Sequence, residues 1–187
     1  MSETLPVTPS QTVGPFFAIG LTWPDGAEIV SADEPDRITI HGTVLDGNGA
    51  PVPDAVVEFW QADAQGRYPH PDDPRGGETS FRGFGRCGTD DIGHYAMYTV
   101  KPGPVPGPNG SMQAPHIAVS VFARGLLARV CTRIYFPEEE AANAADPVLS
   151  SLPEGAASDT LIAAKSEDGY RFDIHLQGEH ETVFFAV

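Results

Sequence analysis

The sequence predicts an all-β fold: an antiparallel β-sandwich of mixed topology, with long loops and one or two short surface helices. Eighteen prolines and twenty glycines are scattered through the 187 residues, cutting the chain into short runs with no space for a helix of more than a few turns. Several runs alternate apolar and polar residues, as strands do when one face is buried and the other is wet. The joints between runs carry turn chemistry.

Taken in order, the candidate strands are Arg37 to Asp46, Ala55 to Ala62, His94 to Val100, His116 to Ala123, Ala128 to Phe136, Tyr170 to Gln177 and Glu181 to Val187. Between the first two, Asp46-Gly47-Asn48-Gly49 precedes Pro51 and Pro53. Gly and Asn accept positive φ there, and proline cannot pair within a central strand. Gly178 to His180 reads as the loop of a hairpin joining the last two runs. Two segments break the β pattern. Pro137 to Ala145 has acidic residues ahead of alanines, and Ser158 to Lys165 has Ser158 as its candidate N-cap; both read as short surface helices. Pro69 to Arg86 and Pro102 to Pro115 remain irregular, a length that usually marks a functional or partner-covered loop. In the first of these, Asp72, Asp73, Arg75 and Glu78 read as a solvated charged face.

Length and composition point to one domain spanning residues 1–187, with residues 1–23 as an N-terminal arm. Phe16, Phe17, Ile19, Leu21 and Trp23 make that arm apolar enough to dock on a partner chain. A formal charge of −15 disfavours nucleic-acid binding, which needs a basic face. No segment resembles a secretion signal or a run of 18 apolar residues, so neither secretion nor a membrane span is expected. Cys87 and Cys131 belong to no metal-binding spacing and read as buried thiols. The expected compartment is the cytoplasm.

No nucleophile triad order and no phosphate-cradling glycine motif is present. The six histidines, His41, His70, His94, His116, His175 and His180, form no HxH or HxxxH pair. Ordered motifs are more informative: Thr8 to Phe17 (TPSQTVGPFF), Glu58 to Tyr68 (EFWQADAQGRY), Val100 to Pro104 (VKPGP), Ala114-Pro115-His116, and Tyr170 to Ile174 (YRFDI). Together, colinear from Thr8 to Phe185, they resemble the intradiol ring-cleavage dioxygenases.

The resemblance implies a ferric site built from two tyrosines and two histidines. Phenolates are hard anionic donors suited to ferric iron, whose charge lowers a phenol pKa otherwise near ~10. Carried over residue by residue, the first tyrosine is Tyr68 and the first histidine His116, but the second tyrosine falls on Val105 and the second histidine on Ala118. Neither Val105 nor Ala118 has a donor atom. Arg133 stands where metal-bearing members have glutamine, and its guanidinium would repel a ferric ion; the alternative is an arginine pointing to solvent.

Fold motifs kept and metal site dismantled is the pattern of the metal-free chain in heteromeric members of the family. The expected catalytic residues and metals of this chain are therefore none, and Fe(III) belongs to a homologous β partner within a hetero-oligomer of α–β units. The resemblance implies that Thr12, Gly14, Pro15 and Phe16 of the arm, with Arg124, line the partner's substrate cavity. Phe16 stands where some members have tyrosine. Gly14-Pro15 offers a fixed backbone with the Gly14 amide free to donate, and Arg124 offers a cation for a carboxylate; an ordinary surface arginine is the competing reading. The implied reaction is cleavage of 3,4-dihydroxybenzoate by dioxygen to 3-carboxy-cis,cis-muconate. A β-sandwich binding or assembly module without catalytic association is the alternative, and the retained arm argues against it.

Overall fold

The computed structural model describes residues 8–9, 11–12, 14–75, 81–153 and 157–186; Glu78 and Val187 lie outside them. Along the chain run α1 (Phe17–Gly20), β1 (Arg37–Leu45), β2 (Val56–Trp60), β3 (Phe84–Gly88), β4 (His94–Val100), β5 (Val105–Pro106), β6 (Met112–Gln113), β7 (His116–Phe122), β8 (Val130–Tyr135), α2 (Glu140–Ala145), β9 (Ala164–Ser166), β10 (Gly169–Arg171) and β11 (Ile174–His175). One sheet pairs β1 antiparallel with β4 and parallel with both β10 and β11, with β9 outside β10. The other runs β3-β2-β7-β8, antiparallel throughout. The expected sandwich of mixed topology is present.

Alternation along the strands supplies the core. Ile40 and Val44 of β1 and Tyr95 and Met97 of β4 face Val57 and Phe59 of β2, Ile117, Val119 and Val121 of β7 and Ile134 of β8, all buried in one cluster. Removing each such side chain from water is worth about 1.5–3 kcal/mol. Gln61 is fully buried among them. Its amide donates to the Val100 carbonyl at 2.9 Å and accepts the Thr99 hydroxyl at 2.8 Å, so its polar atoms are satisfied.

Where the structure departs from the sequence reading, tertiary contacts explain why. The run from Tyr170 to Gln177 is broken into β10 and β11, because at Phe172-Asp173 the Asp173 carboxylate, rather than a backbone carbonyl, receives the Thr43 amide, at 3.0 Å. The run from Glu181 onward is no strand. Among the described residues it makes one bridge, Phe185 to Cys131, and is tied further by the Thr182 amide on the His175 carbonyl at 3.0 Å and by threonine hydroxyls: Thr132 donates to the Val183 carbonyl at 2.8 Å and the Thr182 hydroxyl accepts the His175 amide at 3.0 Å. Ser158 caps nothing. Its segment is a single 3-10 turn, Ser158–Leu161, preceded by Ala157 and followed by β9, because buried Leu161 and the Ala163 amide, bonded to the Tyr135 carbonyl at 3.0 Å, hold the backbone against β8. The other expected helix forms as α2.

Strand β3 was hidden in the first irregular stretch by Gly85 and Gly88. Gly85 is required there, since an added Cβ would press on Met97 and Ile29. The second stretch contains the small β5–β6 hairpin, turning through Asn109 at φ 56°. Both cysteines are free and half-buried, and burial pushes the Cys87 thiol up to about 12.

Gly42 lets the Phe172 crossover lie directly on β1: an added Cβ would collide with the Phe172 carbonyl, which also accepts the Tyr95 hydroxyl at 2.6 Å. Gly42→Ala is expected to lower stability by about 1–3 kcal/mol, the usual cost of overpacking, through disturbed β1–β10–β11 pairing. Urea denaturation checks this, and an unchanged midpoint would contradict it.

Candidate functional site

The residues singled out from the sequence gather in two places on the outer face of the β3-β2-β7-β8 sheet. At one end, register sets Phe84, Trp60, Ala118 and Arg133 in a row across the four strands, with His116 and Tyr135 paired beside it. The adjacent row is Arg86, Glu58, Ser120 and Cys131, where Arg86 pairs with Glu58 at 2.5 Å.

Tyr68 reaches the first row from the turn after β2. Asp63 shapes this turn: its carboxylate accepts the Gln65 and Arg67 amides, each at 2.9 Å, and the Arg67 Nε at 2.8 Å. Gly66 sits at φ 73°. It abuts Gly103 so closely that a Cβ on either would strike the other segment's backbone, and the Gly103 amide bonds to the Asp63 carbonyl at 2.9 Å. The Gly-Arg-Tyr and Lys-Pro-Gly-Pro motifs are thus interlocked. From this support the Tyr68 ring stacks on Trp60, with centroids 5.7 Å apart and planes 11° apart. Burial pushes the Tyr68 phenol above its ordinary pKa, opposed by the positive charge of Arg133.

His116 is 6% exposed. Its Nδ1 lies 2.8 Å from the Ala114 carbonyl; a carbonyl can only accept, so Nδ1 carries the proton in the neutral ring. Burial, reinforced by the nearby Arg133 guanidinium, pulls its pKa down to about 4. Val105 is buried and pairs with Gln113. Gln113 Oε1 accepts Arg133 Nη1 at 2.7 Å, and Tyr135 Oη accepts the same atom at 3.4 Å. Tyr135 in turn donates to Asp146 at 3.3 Å. Arg133 is therefore half-buried and held at one nitrogen between Gln113 and Tyr135 rather than extended freely into solvent.

Beside this row lies a cavity of about 730 Å³ walled by Trp60, Tyr68, Pro74 and Pro106, with His70, Asp72, Asp73 and Arg75 at its polar side. Arg75 is neutralised by Asp73 at 3.1 Å. Sequence reasoning missed Gln113, Tyr135 and Asp146. Tyr135 lay within a quoted strand and could have been found from its alternation with Arg133. Asp146 follows an alanine-rich helix, where an acidic residue looks solvated.

At the other end, the Thr12 hydroxyl accepts the Gly125 amide at 3.0 Å, which brings the arm against the residue after Arg124. Gly14, at φ 71°, directs its amide back to the Thr12 hydroxyl at 3.4 Å, so that amide is engaged, if weakly, rather than free. Pro15 and Phe16 lead into α1. Phe17 is buried against Phe122, with ring centroids 6.5 Å apart, and Trp23 lies on Phe84 with Arg86 above it. Part of the arm is thus covered by its own sheet, while Phe16 and Ile19 are each 78% exposed. Arg124 is also largely exposed, its Nε 3.3 Å from Asp54. This is an ion pair without hydrogen-bond alignment, since neither sealed Asp54 oxygen accepts a bond.

A sandwich with these interlocked motifs defines a class, and comparison with known proteins agrees. The family described as Dioxygenase matches residues 24–178. The chain belongs to the intradiol ring-cleavage dioxygenase family. It is 44% identical to the protocatechuate 3,4-dioxygenase α chain of Pseudomonas putida, covering 98% of each chain. It is 40% identical to the protocatechuate 3,4-dioxygenase β chain of Burkholderia cepacia, over 79% of this chain and 67% of that one. Among solved structures, catechol 1,2-dioxygenase from an Acinetobacter species shares the fold at a TM-score of 0.62 and 23% identity. That match covers 80% of this chain but only 56% of the longer enzyme.

Buried, neutral His116 makes stability pH-dependent. Its pKa is near 6.5 unfolded and about 4 folded, so the unfolded state binds the extra proton between these values, and stability falls as pH drops through 6.5 toward 4. The full difference is about 3 kcal/mol, from 1.36 kcal/mol per unit. His116→Gln is expected to flatten this limb relative to the parent. Chemical denaturation at pH 7.5 and 4.5 checks it, and parallel losses in the two proteins would contradict it.

Proposed function

We propose that this chain is the α subunit of a protocatechuate 3,4-dioxygenase, which pairs with a homologous iron-bearing β chain and completes its active site for intradiol cleavage of 3,4-dihydroxybenzoate to 3-carboxy-cis,cis-muconate. One observation carries the reading: the family motifs are intact, yet the positions of two of four metal ligands are Val105 and Ala118, and the Arg133 guanidinium stands with Tyr68 and His116. These residues do not fit a ferric ion. Two of the four positions are hydrocarbon, and a fixed cation shares the space. In this reading Fe(III) resides in the β chain.

This chain then contributes walls and charge to the partner's cavity. The exposed Phe16 and Ile19 supply apolar area for docking. Thr12 and Gly14 fix the arm against the turn that carries Arg124. Arg124, largely exposed beside Asp54, offers a cation to the substrate carboxylate, which matters in a chain of net charge −15. No helix among the described residues is long and apolar enough to cross a membrane, and we place the complex in the cytoplasm.

The purified chain, loaded with ferrous iron in air and desalted, is expected to retain no stoichiometric metal, while the co-expressed pair holds one tightly bound iron per α–β unit and is coloured. Tight iron at one per isolated chain would overturn the assignment. Within the complex, Arg124→Ala should raise KM for 3,4-dihydroxybenzoate by roughly ten- to a hundredfold, since a charge-assisted hydrogen bond is worth about 1.5–3 kcal/mol. The effect should fall mainly on KM, because the carboxylate is remote from the bonds being broken. Catechol, which lacks the carboxylate, should be barely affected. Steady-state kinetics at equal iron content decides, and equal losses for both substrates would assign Arg124 a structural role instead.

A further inference from the structure

We propose that the face holding Arg133 binds a small aromatic carboxylate, with the anion on the Arg133 guanidinium and the ring in the Trp60–Tyr68 cavity. The first ground is an unneutralised charge. Among the described residues Arg133 forms no ion pair, whereas the other partly buried cations, Arg37, Arg86 and Lys101, each hold a carboxylate. Its Nη1 is fixed by Gln113 and Tyr135, but Nε and Nη2 donate to no protein atom among the described residues, and neither is sealed from solvent. A guanidinium pinned at one nitrogen with two more free presents a fork matched to a carboxylate.

The second ground is space of suitable shape. Strands two apart lie about 10 Å apart, so Trp60 and Arg133, separated in their row by Ala118, leave room above a single methyl group. The adjoining cavity, about 730 Å³, is walled by Trp60, Tyr68, Pro74 and Pro106, within the size range and apolar character of small-molecule sites. Tyr68 joins the two features: its ring lines the cavity and stacks on Trp60, which shares its row with Ala118 and Arg133. The other cation at the cavity, Arg75, is occupied by Asp73 and by the Gly66 carbonyl at 2.6 Å, which leaves Arg133 as the anchor. An aromatic ring would pack on the apolar wall formed by the stacked Trp60–Tyr68 pair with Pro74 and Pro106.

The proposal concerns this chain alone and does not depend on an iron-bearing partner. Equilibrium dialysis of the full chain would use benzoate, phenol and acetate, so that ring and charge are tested separately. One benzoate per chain is expected, with phenol and acetate each at least tenfold weaker. Arg133→Gln should weaken benzoate at least tenfold while leaving phenol unchanged. Ala118→Leu, which keeps the guanidinium but fills the row between it and Trp60, should also block benzoate, and it decides the matter should Arg133→Gln fail to fold. Phenol binding as tightly as benzoate, benzoate binding that survives Ala118→Leu, or no benzoate binding at millimolar concentration would each overturn the proposal.

Discussion

A buried carboxylate, Asp146, is the constraint on which the Arg133 face depends. It is fully inaccessible to solvent. One oxygen accepts the Val148 and Leu149 amides at 2.8 and 2.9 Å and the Tyr135 hydroxyl at 3.3 Å, and the other accepts the Ala114 amide at 2.7 Å. A buried ion is tolerated only when its lone pairs are filled in this way. Each of these bonds also positions something. Ala114 aims its carbonyl at His116, and Tyr135 carries the restraint to Arg133, which Gln113 holds from the other side. The connector after α2, which has no side chain on the site, thereby sets the orientation of groups on three strands.

Other supports lie in backbone rather than side chains, so the motifs hold together independently of which side chains stand on them. Gly66 and Gly103 are required by contact between their two segments, whatever stands at position 105. Asp63 organises its turn through three bonds to its carboxylate and three to its backbone, all made within the protein. Val105 and Ala118 carry no donor atoms, yet the framework around them stands. Buried Val105 keeps its hairpin pairing with Gln113, and Ala118 keeps its ladder partners Trp60 and Arg133.

What the sequence made legible follows from this division. Runs with strict alternation and β-branched or aromatic residues, such as those giving β1, β4 and β7, were readable because local pattern and tertiary role coincide. β3 was not, since Gly85 answers to the approach of Met97 and Ile29 rather than to strand preference. Neither was the loss of the final strand, where Thr132 and Thr182 hydroxyls replace ladder bonds. Motif order pointed to positions 68, 105, 116, 118 and 133; Tyr68, His116, Ala118 and Arg133 lie at one end of the sheet, and Val105 sits in the β5–β6 hairpin opposite Gln113. Motif order did not foresee the Asp146–Tyr135–Arg133–Gln113 relay, because its members are separated by up to 33 positions and none stands in a recognisable spacing.

The electrostatics of that face depend on where the Arg133 cation sits, with the Asp146 carboxylate on the far side of Tyr135. Arg133 is a permanent cation in a low-dielectric setting, so it acts on its neighbours as any fixed positive centre would: it opposes a proton on His116 and favours the anionic form of Tyr68. For His116, burial and Arg133 act together and the ring stays neutral. For Tyr68 they oppose, and burial outweighs the cation, so the phenol keeps its proton. A guanidinium is large, planar and already hydrogen-bonded, so its charge is spread and partly spent on Gln113. A compact multivalent ion in direct contact with the phenol oxygen would reverse that balance. The same side chains that would serve as ligands around such an ion are here held in their neutral forms beside an arginine, and a neutral, partly apolar wall next to an unneutralised cation is a surface complementary to an aromatic anion.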